Sequence, residues 1–223
     1  MLFVVIGVFA LIGMVVQRKL KSKFKKYSEV PLTSGMSGFE VAEAMLQHYG
    51  IHDVQVVQGK GFLTDHYNPA TKTVSLSPPV YQGRSVAAAS VAAHECGHAV
   101  QHATQYSMLK FRSMMVPVVK VASFAQQYLF LIALLMMSSI PQLMLAVIAA
   151  FAITTVFSLV TLPVEFDASR RALVWLDNSG VTQLGPEYDG AKDSLKWAAL
   201  TYVVGALSAL AMLVYLVFSF MNR

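Results

Sequence analysis

Four apolar stretches are the most prominent pattern along this chain, and they occupy residues 2–16, 116–137, 140–164 and 197–220. A membrane-spanning helix needs about 20 mostly apolar residues, and the last two stretches reach that length easily. The first stretch begins at the initiator Met and is followed by positive charge, whereas a cleaved secretory signal carries that charge before its apolar core. We therefore expect an uncleaved N-terminal anchor and about four transmembrane helices in all.

Polar segments separate these stretches and suggest five parts. The parts are an N-terminal anchor (1–17), an α+β region (18–115), a transmembrane hairpin (116–164), a helical segment (165–196) and a C-terminal transmembrane helix (197–223). The two halves of the hairpin are joined by four uncharged residues, 138–141. Because this link is so short, the residues before and after the hairpin are expected to emerge on the same side of the membrane.

Within the first polar segment, local patterns predict a small α+β fold. Residues 37–40 have the sequence of a capping box, which starts a helix. Residues 54–57 favour a strand. The alternation over residues 73–77 is typical of a half-exposed strand, whose edge an extended substrate could pair with. Ser85 then precedes an Ala-rich helix that is predicted to reach about Tyr106.

Composition and charge favour a membrane protein and exclude several other classes. Hydrophobic residues make up 56% of the chain and charged residues 13%, whereas soluble domains carry about 25% charged residues. This composition excludes a disordered chain, and a single cysteine excludes a disulfide scaffold or a cysteine-rich zinc finger. Fifteen of the seventeen Lys and Arg residues lie in 17–115 and 165–196. Since positive loops stay on the cytoplasmic side, both segments are expected in the cytoplasm and the N-terminus outside.

The Ala-rich helix carries the strongest chemical pattern of the chain, His94-Glu95-Cys96-Gly97-His98. Residues four apart lie on the same helical face, one turn apart, so the two imidazoles can meet one tetrahedral zinc ion. Glu95, next to the first His, can then accept a proton from water and return it to the leaving amine. This is the HExxH arrangement of zinc peptidases, and it predicts one Zn²⁺ per chain.

Zinc needs a third protein ligand, for which the sequence offers several candidates. His102 continues the same spacing, but it lies a further turn along the helix, about 6 Å away, and is better suited to hydrogen bonding or substrate contact. Glu165 directly follows the third apolar stretch, and a carboxylate at a membrane boundary is costly unless it is paired or bound to metal. The alternatives are a salt bridge from Glu165 to Arg170 or Arg171, and ligation by Asp167 instead.

These motifs resemble those of the YugP-type neutral zinc metallopeptidases of bacterial membranes. The resemblance rests on HECGHAVQH at residues 94–102, LPVEFDASRRA at 162–172 and DHYNPATKTVSLSPP at 65–79, and it covers nearly the whole chain. It implies a gluzincin-like site, with two His and one Glu on zinc, in a multi-pass protein of the bacterial cell membrane. In the related HtpX-type peptidases an Asp follows the ligand Glu by four residues. Here that position is Ser169, so its supporting role falls to Ser169, to Asp167 or to no residue.

The sequence thus predicts a mainly α integral membrane protein with a small α+β zincin-like cytoplasmic domain. The expected function is a zinc-dependent endopeptidase at the cytoplasmic membrane face, in which His94, His98 and Glu165 hold zinc and Glu95 is the general base. The expected partners are a polypeptide substrate, such as a segment of a membrane protein, and the lipid bilayer, but no nucleic acid; homo-oligomers are left open.

Two other classes of function are compatible with parts of this sequence. One is a catalytically silent or latent zinc-binding scaffold, against which the intact Glu95 argues, because a structural zinc site needs no general base. The other is an accessory protein of a transporter or channel. Its membrane spans should carry ionisable residues near the midplane, and apart from Lys120 near one end these stretches carry none.

Three further features carry weaker predictions. His66 is expected either to stabilise an oxyanion over the zinc or to be a structural turn histidine. Cys96 lies on the opposite side of the helix from the ligands and is expected to pack as a small apolar side chain. The six basic residues from Arg18 to Lys26 are interpreted as a positive-inside anchor, with binding of anionic lipid as the alternative.

Overall fold

The computed structural model describes residues 2–136 and 140–222, and within them the chain is mainly helical. In these residues seven helices and three short strands follow one another in the order α1 (Leu2–Ser28), α2 (Gly38–His48), β1 (Gln55–Gln58), β2 (His66–Asn68), β3 (Thr73–Leu76), α3 (Pro78–Tyr81), α4 (Val86–Ala103), α5 (Ser107–Leu135), α6 (Pro141–Asn178) and α7 (Pro186–Met221).

Four of these helices are long and apolar enough to cross a membrane. The candidate spans are Leu2–Ser28 in α1, Ser107–Ala133 in α5, Gln142–Asn178 in α6 and Pro186–Met221 in α7. The predicted number of spans is confirmed for the described part of the chain, but the helices extend well past the apolar stretches. In α1 the helix continues through the whole basic run, because Lys and Arg are good helix formers and no Gly or Pro interrupts them.

The polar segment 165–196 is likewise not a separate element, because the long helices continue into it. Its residues form the last part of α6 and the first part of α7, on either side of the short connection at 179–185. Pro163 lies inside α6 without ending it. Each boundary between the five predicted parts therefore falls within a helix, and that division stays a prediction. The predicted link at 138–141 lies partly outside the described residues, which omit 137–139.

The chain forms two compact units. The first comprises the described residues of Met1–Val15, Ser107–Pro163 and Thr201–Arg223, and the second comprises Val16–Tyr106 and Val164–Leu200. In the first unit, side chains of α5, α6 and α7 form a small buried apolar cluster of Ala133, Met144, Val147 and Leu216. The second unit contains the sheet, α2 to α4 and a larger apolar core. All the candidate site residues lie in this second unit.

The sheet of the second unit has the strand order β1-β3-β2. β3 pairs in parallel with β1 and antiparallel with β2, so it is the central strand. The expectation that residues 73–77 offer a free edge to a substrate is therefore wrong. The reason lies in the preceding turn, where Asn68 Oδ1 accepts hydrogen bonds from the backbone N–H groups of Ala70 and Thr71. This turn folds β2 back along β3.

Helices α2 and α4 pack against each other, and α4 carries His94 and His98. The capping box of α2 is confirmed, because Ser37 N–H donates to Glu40 Oε2 at 2.7 Å and Glu40 N–H donates to Ser37 Oγ at 3.3 Å. Ser85 caps α4, as expected. This helix ends at Ala103, three residues before the predicted end, and the chain then turns through Gln105, which has a positive φ of 54°.

Candidate metal centre

Three side chains from two helices converge at one point in the second unit. His94 and His98 lie on consecutive turns of α4, and Glu165 lies on α6. The Nε2 atom of His94 lies 3.3 Å from Glu165 Oε2, and the Nε2 atom of His98 lies 3.5 Å from the same oxygen. All three potential ligand atoms lie within 4.8 Å of one another. The structure therefore brings together the two His and the Glu that the sequence analysis put forward as zinc ligands.

The geometry of this cluster fits a zinc ion. Zinc binds His and carboxylate ligands at about 2.0–2.1 Å, so two ligand atoms of a tetrahedral site lie about 3.3–3.4 Å apart. The two N–O separations of 3.3 Å and 3.5 Å match that spacing. Two imidazole nitrogens and one carboxylate oxygen are also a ligand set typical of catalytic zinc, which keeps a fourth position for water or substrate.

Helix α6 can approach α4 closely because Gly97 has no side chain. A Cβ atom at Gly97 would lie only 2.6 Å from the backbone oxygen of Ala168. Gly97 stands between the two His in the sequence, and Ala168 stands three residues after Glu165. The absence of a side chain at position 97 therefore permits the helix spacing at which Glu165 reaches both imidazoles.

The second ring nitrogen of each His also has a partner. His94 Nδ1 lies 3.1 Å from Ser169 Oγ, and His98 Nδ1 lies 3.0 Å from Gln101 Oε1. Such hydrogen bonds orient metal-ligating imidazoles and leave Nε2 for the metal. Both residues that the sequence offered for a supporting role have a contact with this pair of imidazoles, one direct and one through a second side chain. Ser169 contacts His94 directly, whereas Asp167 reaches His98 through Gln101.

Asp167 itself is engaged by basic side chains. Its carboxylate accepts hydrogen bonds from Arg170, from Arg171 Nε at 2.5 Å and from Gln101 Nε2 at 3.0 Å. It does not belong to the metal-ligand cluster found among the described residues. The two arginines, considered above as partners of Glu165, pair with Asp167.

Two buried titratable groups of α4 have shifted pKa values. Glu95 is 8% exposed, and burial raises the pKa of its carboxyl group, although the neighbouring His94 and His98 counteract part of this effect. Burial lowers the pKa of His98, but its hydrogen bond to Glu165 and the negative charges of Glu165 and Glu95 together outweigh burial, so that the pKa is raised overall. A buried carboxyl group with a raised pKa is suited to accept and return a proton.

His102 lies outside the metal-ligand cluster and contacts the sheet instead. Its Nδ1 atom is 2.7 Å from the hydroxyl oxygen of Tyr67 on β2. Burial raises the pKa of Tyr67 to about 12, so the hydroxyl stays protonated and shares a hydrogen bond with His102. Both residues border a cavity of about 160 Å³ that also touches Ile51 and Ala99. His102 thus makes a hydrogen bond to the sheet, and its contact with substrate stays a prediction.

His66 and Cys96 each contact a backbone oxygen of the protein. His66 is exposed at the start of β2, rather than in a turn, and its Nδ1 atom lies 2.8 Å from the backbone oxygen of Thr64. Cys96 is fully buried, with Sγ 3.6 Å from the backbone oxygen of Ala42. Burial raises the pKa of the Cys96 thiol, so it packs as an uncharged side chain.

Sequence reasoning missed two residues that contact the His side chains, Gln101 and Tyr67. Gln101 stands three residues after His98, a spacing that places the two side chains on one helical face. That spacing was available as a signal, but a Gln on a helix usually faces solvent. No signal in the sequence could have found Tyr67, since it approaches His102 from a strand 35 residues away.

The chain is similar to a protein family and to a protein from Bacillus subtilis. A family model described as putative neutral zinc metallopeptidase matches residues 2–221. The chain is 43% identical over 223 residues to a Bacillus subtilis (strain 168) protein named putative membrane protease YugP, and the match covers 100% of this chain and 98% of that protein. No solved structure matches the chain. Both matched ranges span positions 94, 98 and 165.

Proposed function

This chain belongs to the neutral zinc metallopeptidase family, and from that premise we propose that it is a zinc-dependent endopeptidase of the membrane. Its zinc ligands are His94, His98 and Glu165. The observation that carries the proposal is the spacing of their ligand atoms, since both Nε2 atoms lie 3.3–3.5 Å from one carboxylate oxygen. The four apolar helices and the membrane protease relative support a multi-pass membrane protein.

The proposed chemistry divides between the ligands and Glu95. When bound, zinc supplies a Lewis acid that polarises a peptide carbonyl and makes water more acidic. Glu95 accepts the proton of the attacking water at its carboxylate and delivers it to the leaving amine. Because burial raises the pKa of Glu95, the protonated group is a better proton carrier near neutral pH than an exposed carboxyl group.

The proposal includes a side of the membrane and a class of substrate. Fifteen of the seventeen Lys and Arg residues lie in the two polar segments, which favours a cytoplasmic location for the site. Glu165 directly follows the third apolar stretch. A polypeptide held close to the membrane surface, such as a tail or loop of a membrane protein, is therefore the favoured substrate.

Zinc content and cleavage of an unfolded protein substrate such as casein test this proposal on the full chain in detergent. Glu95→Gln is expected to keep zinc and to lose at least about 100-fold in cleavage, the usual contribution of a general base. Glu165→Gln is expected to lose both zinc and cleavage. Glu43→Gln is the matched control, because Glu43 is exposed on α2 and does not belong to the metal-ligand cluster.

The outcomes separate the proposal from its alternatives. A wild-type protein without zinc would contradict the proposed metal site. A protein that binds one zinc ion, but whose cleavage is the same in wild type and Glu95→Gln, would favour the catalytically silent scaffold. If Glu165→Gln retains zinc, the third ligand is another residue, and Asp167→Asn is then the next variant to compare.

A further inference from the structure

The side chain of Gln101 connects the two helices that carry the proposed zinc ligands. Gln101 is 0% exposed and lies on α4, where its Oε1 atom is 3.0 Å from His98 Nδ1. Its Nε2 atom donates to the backbone oxygen of Val164 at 2.7 Å and to Asp167 Oδ2 at 3.0 Å, both on α6. One carboxamide thus contacts a ligand on α4 and two residues that flank Glu165 on α6.

The orientation of this carboxamide follows from the chemistry of its partners on α6. A backbone carbonyl and an ionised carboxylate can only accept hydrogen bonds, so both must face the NH₂ group of Gln101. The guanidinium groups of Arg170 and Arg171 donate to Asp167, which favours its ionised form. The carbonyl oxygen of Gln101 therefore faces His98, and this oxygen is also an acceptor only.

It follows that Nδ1 of His98 must be the donor to Gln101. In the neutral imidazole the lone pair then lies on Nε2, the atom that is 3.5 Å from Glu165 Oε2. We propose that Gln101 is a positioning residue, which fixes His98 in the Nδ1–H tautomer and thereby prepares its Nε2 atom for zinc. This inference rests on the proposed function, because it takes His98 as a zinc ligand.

The tautomer of His94, the other proposed ligand, is not fixed in this way. The hydroxyl group of Ser169, 3.1 Å from His94 Nδ1, can act as donor or acceptor and therefore fixes no tautomer. The contribution of Gln101 to zinc affinity should accordingly exceed that of Ser169. The two residues thus provide an internal comparison within one site.

The experiment compares zinc affinities of full-chain variants in detergent, measured by competition with a chromophoric zinc chelator. Gln101→Met has a similar length and cannot hydrogen bond, and it is expected to bind zinc about 10–100-fold more weakly, the usual effect of losing a partner of a ligand. Gln101→Glu keeps an acceptor at His98, and its buried carboxyl group stays protonated beside Asp167, because two adjacent carboxylates cannot both ionise, so that its hydroxyl still donates to α6. This variant is expected to stay within about threefold of wild type. Ser90→Ala is the matched control, since Ser90 is fully buried on the same helix and donates to Val86.

The variants distinguish positioning from packing. Weak binding by Gln101→Met with rescue by Gln101→Glu supports the inference. Wild-type affinity in Gln101→Met would overturn it. Equal losses in Gln101→Met and Gln101→Glu would also overturn it, because Gln101 would then act through α6 and not through His98. A wild-type protein that binds no zinc would instead overturn the proposed function, and with it the premise of this inference.

A measurement on the zinc-loaded wild-type protein covers the case in which Gln101→Met does not fold. ¹⁵N chemical shifts of histidine distinguish a protonated nitrogen from one bound to metal. His98 is identified by the shift of its resonances in Gln101→Glu. A protonated Nδ1 and a zinc-bound Nε2 are expected for His98, and coordination through Nδ1 would contradict the inference.

Discussion

At the scale of single residues, neighbours in the sequence differ sharply in their surroundings. Glu165 and Asp167 are two residues apart on α6, so they lie about 200° apart around the helix axis. Glu165 meets the imidazoles of α4, whereas Asp167 meets two arginines. The three histidines of α4 diverge in the same way, because His102 turns to Tyr67. The residue types alone made these carboxylates and imidazoles candidate ligands. The direction in which each side chain points decides which partner it contacts.

Glu40 provides a prediction about pH at this scale. Its hydrogen bond from the Ser37 backbone, together with Arg84, lowers the pKa of Glu40. A lowered pKa in the folded state means that the contribution of Glu40 to stability is present above its unfolded-state pKa and is lost as pH falls through the folded-state pKa. Glu40→Gln keeps an acceptor for the cap but carries no charge.

The melting temperature of the wild type is therefore expected to exceed that of Glu40→Gln at pH 7. The difference should begin to shrink near the ordinary pKa of Glu, about 4.3, and disappear only below the lowered folded-state pKa. Thermal unfolding at a series of pH values measures this difference. Glu43→Gln, on the same helix but outside the cap, serves as the control. A difference between wild type and Glu40→Gln that persists unchanged at low pH would show that the charge of Glu40 is not involved.

At the scale of elements, the contact between α4 and α6 decides whether the ligands can meet. Two of the ligands come from α4 and the third from α6. The approach of the two helices depends on Gly97, where any side chain would collide with the backbone of Ala168. Gln101 then joins the same two helices by hydrogen bonds. The metal centre is therefore a property of this helix pair rather than of either helix alone.

Gly97→Ala tests the helix contact. Ala normally stabilises a helix by about 1 kcal/mol relative to Gly, but here the new Cβ atom would lie 2.6 Å from the backbone oxygen of Ala168. We expect Gly97→Ala to lower the melting temperature and to weaken zinc binding, by at least about tenfold for a displaced ligand. Zinc affinity and thermal unfolding provide the two readouts.

Gly205→Ala is the matched control for this substitution. Gly205 lies inside α7, and a Cβ atom there would meet no other atom within 4 Å. We expect Gly205→Ala to bind zinc as the wild type does. If Gly97→Ala is as stable as Gly205→Ala and binds zinc equally well, the close approach of α4 and α6 is not required for the site.

At the scale of the whole molecule, the chemistry-bearing residues are concentrated in one of the two units. The second unit holds the sheet, the core around α2 and α4, and the entire metal-ligand cluster. It also contains the basic run, in which Lys23 pairs with Asp193 at 2.6 Å, while Arg18, Lys19, Lys21, Lys25 and Lys26 are exposed. Anionic lipid as a partner of those five exposed side chains stays a prediction.

The distribution of charge predicts the topology. With the N-terminus outside and four spans, the C-terminus is also outside, and the connection between α6 and α7 is cytoplasmic. Introduced cysteines can be labelled selectively in this protein, because its only native cysteine, Cys96, is buried. In intact cells, a membrane-impermeant maleimide should label Asn222→Cys, near the end of α7, but not Ser179→Cys, in the connection after α6.

Permeabilised cells provide the control for this labelling, since both variants should then react equally. Wild type, with Cys96 alone, should react in neither condition. The reverse pattern, in which only Ser179→Cys is labelled from outside, would place the metal-ligand cluster on the outer side and contradict the proposed cytoplasmic location.

Features that depend on local periodicity were predictable from the sequence alone. The length of the apolar stretches gave the number of candidate spans, because a span is defined by length and composition. The i, i+4 spacing placed His94 and His98 on one face, because helix geometry is fixed. The capping box and the Ser85 cap followed from four-residue patterns. Each of these features involves residues within a few positions of one another.

Which distant groups meet depends on tertiary packing. It placed Glu165 rather than Asp167 beside the imidazoles, made β3 a central strand, and brought Gln101 and Tyr67 to the histidines. The physical reason is that these contacts depend on how closely two elements pack and at which rotation. That packing is set by small features such as the missing side chain at Gly97, whose effect no local pattern expresses.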